Sequence, residues 1–166
     1  MNAPTYPPYL ARPGGPRARG ASRDALRSAA YEEASHATAF AAENFRVLRL
    51  SVDGRGGGRC RTDQRGRRES AAALAAGQVG AALFAETGPQ SRLRHEDDDA
   101  QIREATGGRR DLRERAEREA RNILLTHART VRAIAERLLA VGTLEGAELD
   151  ALLFPVRAAF VRRCVT

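Results

Sequence analysis

The stretch at residues 22–42 constrains the fold most, because its small apolar residues recur at the spacing of one helix face. Ser22 or Asp24 can accept hydrogen bonds from the first exposed amides of such a helix. The apolar positions are Ala25, Leu26, Ala29, Ala30, Ala34, Ala37 and Phe40. The sequence therefore predicts a helix over residues 24–42, with one face suited to close packing.

The composition favours a single helical domain. The chain has 166 residues, of which 42% are hydrophobic but only 5% aromatic, so the core must consist mainly of Ala, Leu and Val. Residues 1–21 are rich in Pro, Gly and Arg and are predicted to form a disordered arm. The folded domain is expected to span residues 22–166, a length that can bury a sizeable core without disulfides.

Charge and cysteine content limit the classes of partner and compartment. The formal net charge is +7 and every basic residue is Arg, a usage that indicates a GC-rich genome more than a function. A basic protein can bind nucleic acid, but no zinc finger or RNA-recognition signature is present, so this is the third hypothesis. Cys60 and Cys164 fit no disulfide framework. With no secretory signal and no membrane span in the sequence, we predict a cytoplasmic protein.

The remaining segments predict a mainly α fold of the α+β class with a small sheet. Residues 45–53 alternate apolar and polar side chains as a strand does, and a glycine-rich turn and a short strand at 59–62 follow. Residues 69–86 form an Ala-rich helical stretch whose small side chains permit close helix approach. Further helices are predicted from the acidic run at 97–99, over 111–141 with a break near Thr126, and over 147–153.

The first predicted helix also carries a cluster of chemically active side chains. Glu32 and His36 are four residues apart and share a helix face, and Glu33 lies beside them. The spacing is that of H-E-x-x-H, in which two His bind zinc and the Glu activates water, with Glu32 here in the place of the first His. Taken alone, E-E-x-x-H is also typical of a solvated charged helix face.

The surrounding text, AAYEEASHATAF, resembles the active-site helix in the peptidase module of the FtsH family of ATP-dependent zinc proteases. Two further segments resemble later helices of that module. They are LAAGQVGAALF and EARNILLTHARTVRAIAERLLAVGTLEGAELDALL. The likeness extends in family order over about residues 25–155. These 166 residues contain no Walker loop and no segment that resembles the ATPase module. The resemblance implies a metallopeptidase domain that uses an edge strand to hold a peptide or an unfolded protein. It also implies an AAA+ ATPase partner or a homo-oligomer.

The same resemblance implies a ligand set for Zn²⁺. The metal would be held by His36 and by an Asp at a downstream helix start, with Glu33 as the base that takes the proton of water. Asp99 is the preferred match and Asp98 the next, because the repeated acids at 97–99 leave the register open. Glu32 would complete the set. Without a metal, the three Asp would act as helix caps. His95 is an alternative ligand, whereas His127 is expected to be a surface or packing residue.

Two departures from the family pattern bear on activity. Glu32 makes the ligand set more anionic and harder, which lowers Lewis acidity and tilts the preference from zinc toward cations that favour oxygen. Gly80 and Ala81 stand where the family usually has an Ala-Glu pair. The sequence therefore leaves two hypotheses: a zinc metallopeptidase of reduced activity, or a catalytically inactive peptidase-like domain that binds a protein or peptide partner.

Overall fold

A computed structural model describes residues 21–63, 70–85 and 96–165, with side chains described from Asp98 to Arg162 in the last range. The arm predicted for residues 1–21 lies outside these ranges except for Ala21, as do His95 and the side chain of Asp97. The elements in chain order are α1 (Arg23–Ala42), β1 (Arg46–Val52), β2 (Gly58–Asp63), α2 (Ala71–Phe84), α3 (Glu96–Thr106), α4 (Arg110–Thr126), α5 (Ala128–Val141), β3 (Thr143–Glu145) and α6 (Gly146–Val165). This architecture confirms the mainly α, α+β prediction.

Helix α1 is the central element of the fold. It begins where the Ser22 hydroxyl accepts a hydrogen bond from the Ala25 amide at 3.2 Å, as the sequence predicts. It ends at Ala42, and Asn44, two residues further on, has a positive φ of 63° in the turn that leads to β1. Every residue from Ser28 to Ala42 is buried, including both glutamates and the histidine of the motif. The motif therefore does not lie on a solvated helix face.

The sheet has the order β2-β1-β3, with both neighbours antiparallel to β1. The hairpin of β1 and β2 appears where the alternating pattern and glycine-rich turn predict it. Val47, Leu50 and Leu144 are buried in the core that the sheet shares with the helices. The unpredicted strand β3 forms at Thr143–Glu145, within the expected helix break, because its residues pair with Arg49–Ser51 of β1.

Close packing of α1 against α2 depends on two glycines. A Cβ at Gly80 would overlap the side chain of Ser35, and a Cβ at Gly77 would overlap the imidazole of His36. Helix α2 also packs against α3 and α4. The prediction that the Ala-rich stretch permits close helix approach agrees with this arrangement.

The C-terminal helices extend further than the sequence predicts. The long helical stretch is interrupted at His127, next to the expected break at Thr126. The final helix was expected over residues 147–153, but α6 continues past Pro155. Leu149, Leu153 and Val156 are fully buried, so tertiary packing outweighs the loss of one backbone hydrogen bond at the proline. Among the described residues, no helix combines the length and apolar character needed to cross a membrane.

Candidate metal centre

Three potential metal ligands converge between α1 and the first turn of α3. Glu32 and His36 lie one helical turn apart on α1, and Asp98 reaches them from α3. Each offers one ligand atom, and these atoms all lie within 4.8 Å of one another. Glu32 and His36 are buried, while the side chain of Asp98 is 21% exposed. The cluster thus has two buried donors and one at the solvent boundary.

The imidazole of His36 is held in an orientation suited to a metal ligand. Its Nδ1 lies 3.0 Å from the backbone carbonyl oxygen of Ala73, to which Nδ1–H donates a hydrogen bond. That bond leaves Nε2 directed at Asp98, whose Oδ2 is 3.3 Å away. In a tetrahedral site with bonds of about 2.1 Å, two ligand atoms lie about 3.4 Å apart. Because Gly77 has no side chain, the imidazole can lie directly against α2, where a Cβ would overlap Nε2.

The structure favours Asp98, the second choice of the sequence interpretation, over Asp99. Asp99 accepts hydrogen bonds from Gln78 Nε2 at 3.2 Å and from Arg113 Nη2 at 2.7 Å. Consecutive helix residues point about 100° apart, so only one of the two carboxylates can face His36. The sequence alone could not show which Asp faces His36, because residues 97–99 are all Asp. Among the described residues, the group that could hold a metal ion therefore contains Asp98 and not Asp99.

Glu33 lies beside the cluster and against the start of β2. It is buried, and a Cβ at Gly58 would overlap its side chain, so glycine at that position leaves the space for the carboxyl group. Burial raises the pKa of Glu33 to about 8, and the charges of Glu32 and Asp98 also raise it, against the opposing effects of His36 and Arg59. Glu33 is therefore a strong base once ionised.

The pKa of His36 is raised to about 9. Burial alone would lower this pKa, but the hydrogen bond to Asp98 and the charges of Asp98 and Glu33 outweigh it. Without a cation, His36 carries a proton on both ring nitrogens at neutral pH, and Nε2–H donates to Asp98. Any cation that binds must displace this proton, because only the unprotonated Nε2 is a ligand.

Comparison with known proteins adds no identification. The chain matches no protein-family model and no curated protein. The function is therefore inferred from the geometry and chemistry of this cluster.

Three supporting features were not found from the sequence: the Ala73 carbonyl, the gap at Gly77 and the contact at Gly58. The two glycines of α2, spaced three apart in an Ala-rich helix, signal close packing but not which side chain fills the gap. A backbone carbonyl carries no sequence signal at all. His127, expected to have a surface or packing role, is half-buried at the junction of α4 and α5 and is not part of the cluster.

The stability of the chelator-treated protein should fall as the pH rises from about 5.5 to 8.5. The folded-state pKa of Glu33 is about 8 against an ordinary 4.5, and that of His36 is about 9 against 6.5. In this window the folded state binds more protons than the unfolded state, so the free energy of unfolding decreases with pH. We expect a loss on the order of a few kcal/mol in urea titrations. Glu33→Gln should make the free energy of unfolding depend less on pH. A free energy of unfolding that rises over this window would contradict the raised pKa values of Glu33 and His36.

Proposed function

We propose that this chain is a peptidase-like domain that binds one divalent cation through Glu32, His36 and Asp98. The domain catalyses metal-assisted hydrolysis of peptide bonds, in which Glu33 is the base. The hydrolysis is slow, because Glu32 lowers the Lewis acidity of the cation. The observation that carries the proposal is the convergence of these three ligand atoms between α1 and α3, with a third acid, the buried Glu33, beside them. Fortuitous clusters of acids usually lie on the surface, whereas this one is built into the most buried helix of the fold.

The donor set fits a divalent cation. The Nδ1 hydrogen bond to Ala73 fixes the orientation of the His36 ring, as the outer hydrogen bonds of metal-binding histidines do. Three protein ligands with an open position are the usual arrangement of catalytic zinc sites. Two carboxylates and one imidazole are harder than the usual sets, so we expect Mn²⁺ to compete with Zn²⁺ more strongly than it does at a site with two histidines.

Each residue then has a distinct chemical role. A bound cation would supply Lewis acidity to the scissile carbonyl and to the attacking water. Glu33 accepts the proton of that water and passes it to the leaving amine. The positive charge of a bound cation would lower the pKa of Glu33 from the value of about 8 that it has without one. Burial of Glu32, Glu33 and His36 limits competing contact with solvent.

Cleavage of casein by the unmodified chain tests the proposed function. With Zn²⁺ or Mn²⁺ added, we expect slow cleavage that chelator stops and that His36→Ala abolishes, because the variant lacks the only imidazole in the cluster. Cleavage that persists in His36→Ala would place the activity elsewhere or in a contaminant. Rapid zinc-dependent cleavage would show that Glu32 is a fully competent ligand and would contradict the slowing role given to it.

A second candidate is a peptidase-like domain that binds a protein or peptide without cutting it. The observation that favours it is Glu32 itself, since a carboxylate in place of an imidazole weakens the Lewis acidity available at the site. Cation binding without cleavage above the His36→Ala background would support this candidate. It would leave the ligand cluster as a structural or regulatory site within a peptide-binding scaffold.

A further inference from the structure

An arginine-bearing face of the β1–β2 hairpin lies on the side of the sheet opposite Glu33, because the Cβ direction at Gly58 meets Glu33 and side chains alternate between faces along β2. In the antiparallel register Arg49 lies directly opposite Arg61, and Arg59 lies opposite Ser51. Side chains opposite one another project from the same sheet face, as do residues two apart on one strand. Arg49, Arg59 and Arg61 are all exposed. Together these three arginines form a basic surface, which we call the arginine face.

The arginine face is only partly neutralised by its neighbours, since the charge of Arg59 also acts on Glu33. Arg49 lies 3.3 Å from Glu145 of β3, but this pair is more than half exposed and therefore weak. Within the described part of the chain, neither Arg59 nor Arg61 lies in an ion pair. Like charges placed directly opposite each other destabilise a sheet. An anionic ligand would relieve the repulsion between Arg49 and Arg61.

The position of these arginines indicates what that ligand is. Strand β2 pairs only with β1, so its outer edge is open among the described residues. The strand begins at Gly58, whose backbone lies against Glu33. Arg59 and Arg61 follow by one and three residues, within about 10 Å at the rise of a β-strand. A peptide that adds to this edge would have its side chains alternately on the two sheet faces, one set on the side of Glu33 and the other on the side of the arginine face.

We propose that the arginine face selects peptides with acidic side chains at alternate positions, of the form Glu-x-Glu. This inference rests on the proposed function, because it assigns the substrate class of that same site. In a strand added to β2, residues two apart face the same way, and two carboxylates so spaced lie opposite Arg59 and Arg61. Adjacent acids would project to opposite faces, so only one of them could reach the arginines. A preference for acids at alternate positions over adjacent acids therefore distinguishes a peptide bound as a strand from general attraction of the arginines to negative charge.

Fluorescence anisotropy with labelled ten-residue peptides tests the selection without any need for hydrolysis. The full chain is titrated in chelator with a peptide containing Glu-x-Glu and with an isomer in which the two Glu are adjacent. We expect about 2- to 5-fold tighter binding of the alternating peptide at low salt, on the scale of the one cross-strand charge pair by which the two isomers differ. The difference should shrink at 1 M salt, where the screening length is about 3 Å.

Two double variants with the same change of charge provide the matched comparison. Arg59→Gln with Arg61→Gln should remove the preference, whereas Arg118→Gln with Arg121→Gln, on the exposed face of α4, should keep it. Equal binding of the two isomers by the unmodified chain would overturn the proposal. So would single-stranded RNA that binds more tightly than the alternating peptide and displaces it, which would make the face a nucleic-acid site. A retained preference in a chain that does not cleave casein would refute hydrolysis and leave the peptide selection standing.

Discussion

Replacing Glu32 with His is expected to raise the affinity for Zn²⁺ by about 100-fold or more. The change restores a second imidazole one helical turn from His36 and removes one negative charge from the ligand set. Mutation of residues that hydrogen-bond to metal ligands changes metal affinity roughly 10- to 100-fold. Replacing a ligand itself should have a larger effect. Competition with a fluorescent zinc chelator measures the affinity of both proteins. An unchanged affinity in Glu32→His would mean that position 32 does not bind the metal.

The same variant should cleave casein faster than the unmodified chain, and Glu33→Gln in that background should abolish the gain. The amide of Gln has nearly the shape of the carboxyl group but cannot accept the proton of water. General acid–base groups contribute typically about 10²- to 10⁴-fold to a rate, so the double variant should fall by at least the lower figure. If Glu32→His binds no zinc, the resemblance to zinc peptidases extends to the scaffold only, and peptide binding becomes the better interpretation.

Much of the fold could be predicted because local patterns and tertiary packing agree. The predicted apolar positions of α1 are buried from Ala29 onward, although α1 is buried on all sides there, and Val47 and Leu50 of β1 are buried as their alternation predicts. The predictions fell short where packing outweighs local preference. Pro155 suggests a helix end, but the buried Leu149, Leu153 and Val156 carry α6 onward. Strand β3 has only three residues, so it has no periodic signal and depends on its partner β1.

The candidate site was predictable on α1 and ambiguous on α3. Glu32, Glu33 and His36 belong to one helix, where spacing alone decides which side chains share a face. Asp98 and Asp99 belong to another helix, and its rotation relative to α1 depends on packing and on the pairing of Asp99 with Arg113. Sequence spacing carries no information about that rotation. The resemblance could therefore indicate an acidic helix start but not the residue.

Asp98→Asn is expected to reduce cation affinity by about 100-fold or more, whereas Asp99→Asn should change it little. The first substitution replaces a charged ligand with a neutral amide at the 3.3 Å contact to His36. The second alters a partly exposed pair with Arg113, for which about 1 kcal/mol of stability or less is typical. Because the two positions are adjacent and the change of charge is identical, general electrostatic effects cancel in the comparison.

Native mass spectrometry of the purified chain and these two variants, before and after chelation, tests the metal site most directly. We predict one divalent cation bound to each unmodified chain and to each Asp99→Asn chain, removed by chelator and restored by added Zn²⁺ or Mn²⁺. Asp98→Asn should bind none under the same conditions. An unmodified chain that binds no cation, or an Asp98→Asn chain that binds one as tightly as the unmodified protein, would contradict the assignment of Glu32, His36 and Asp98 as its ligands.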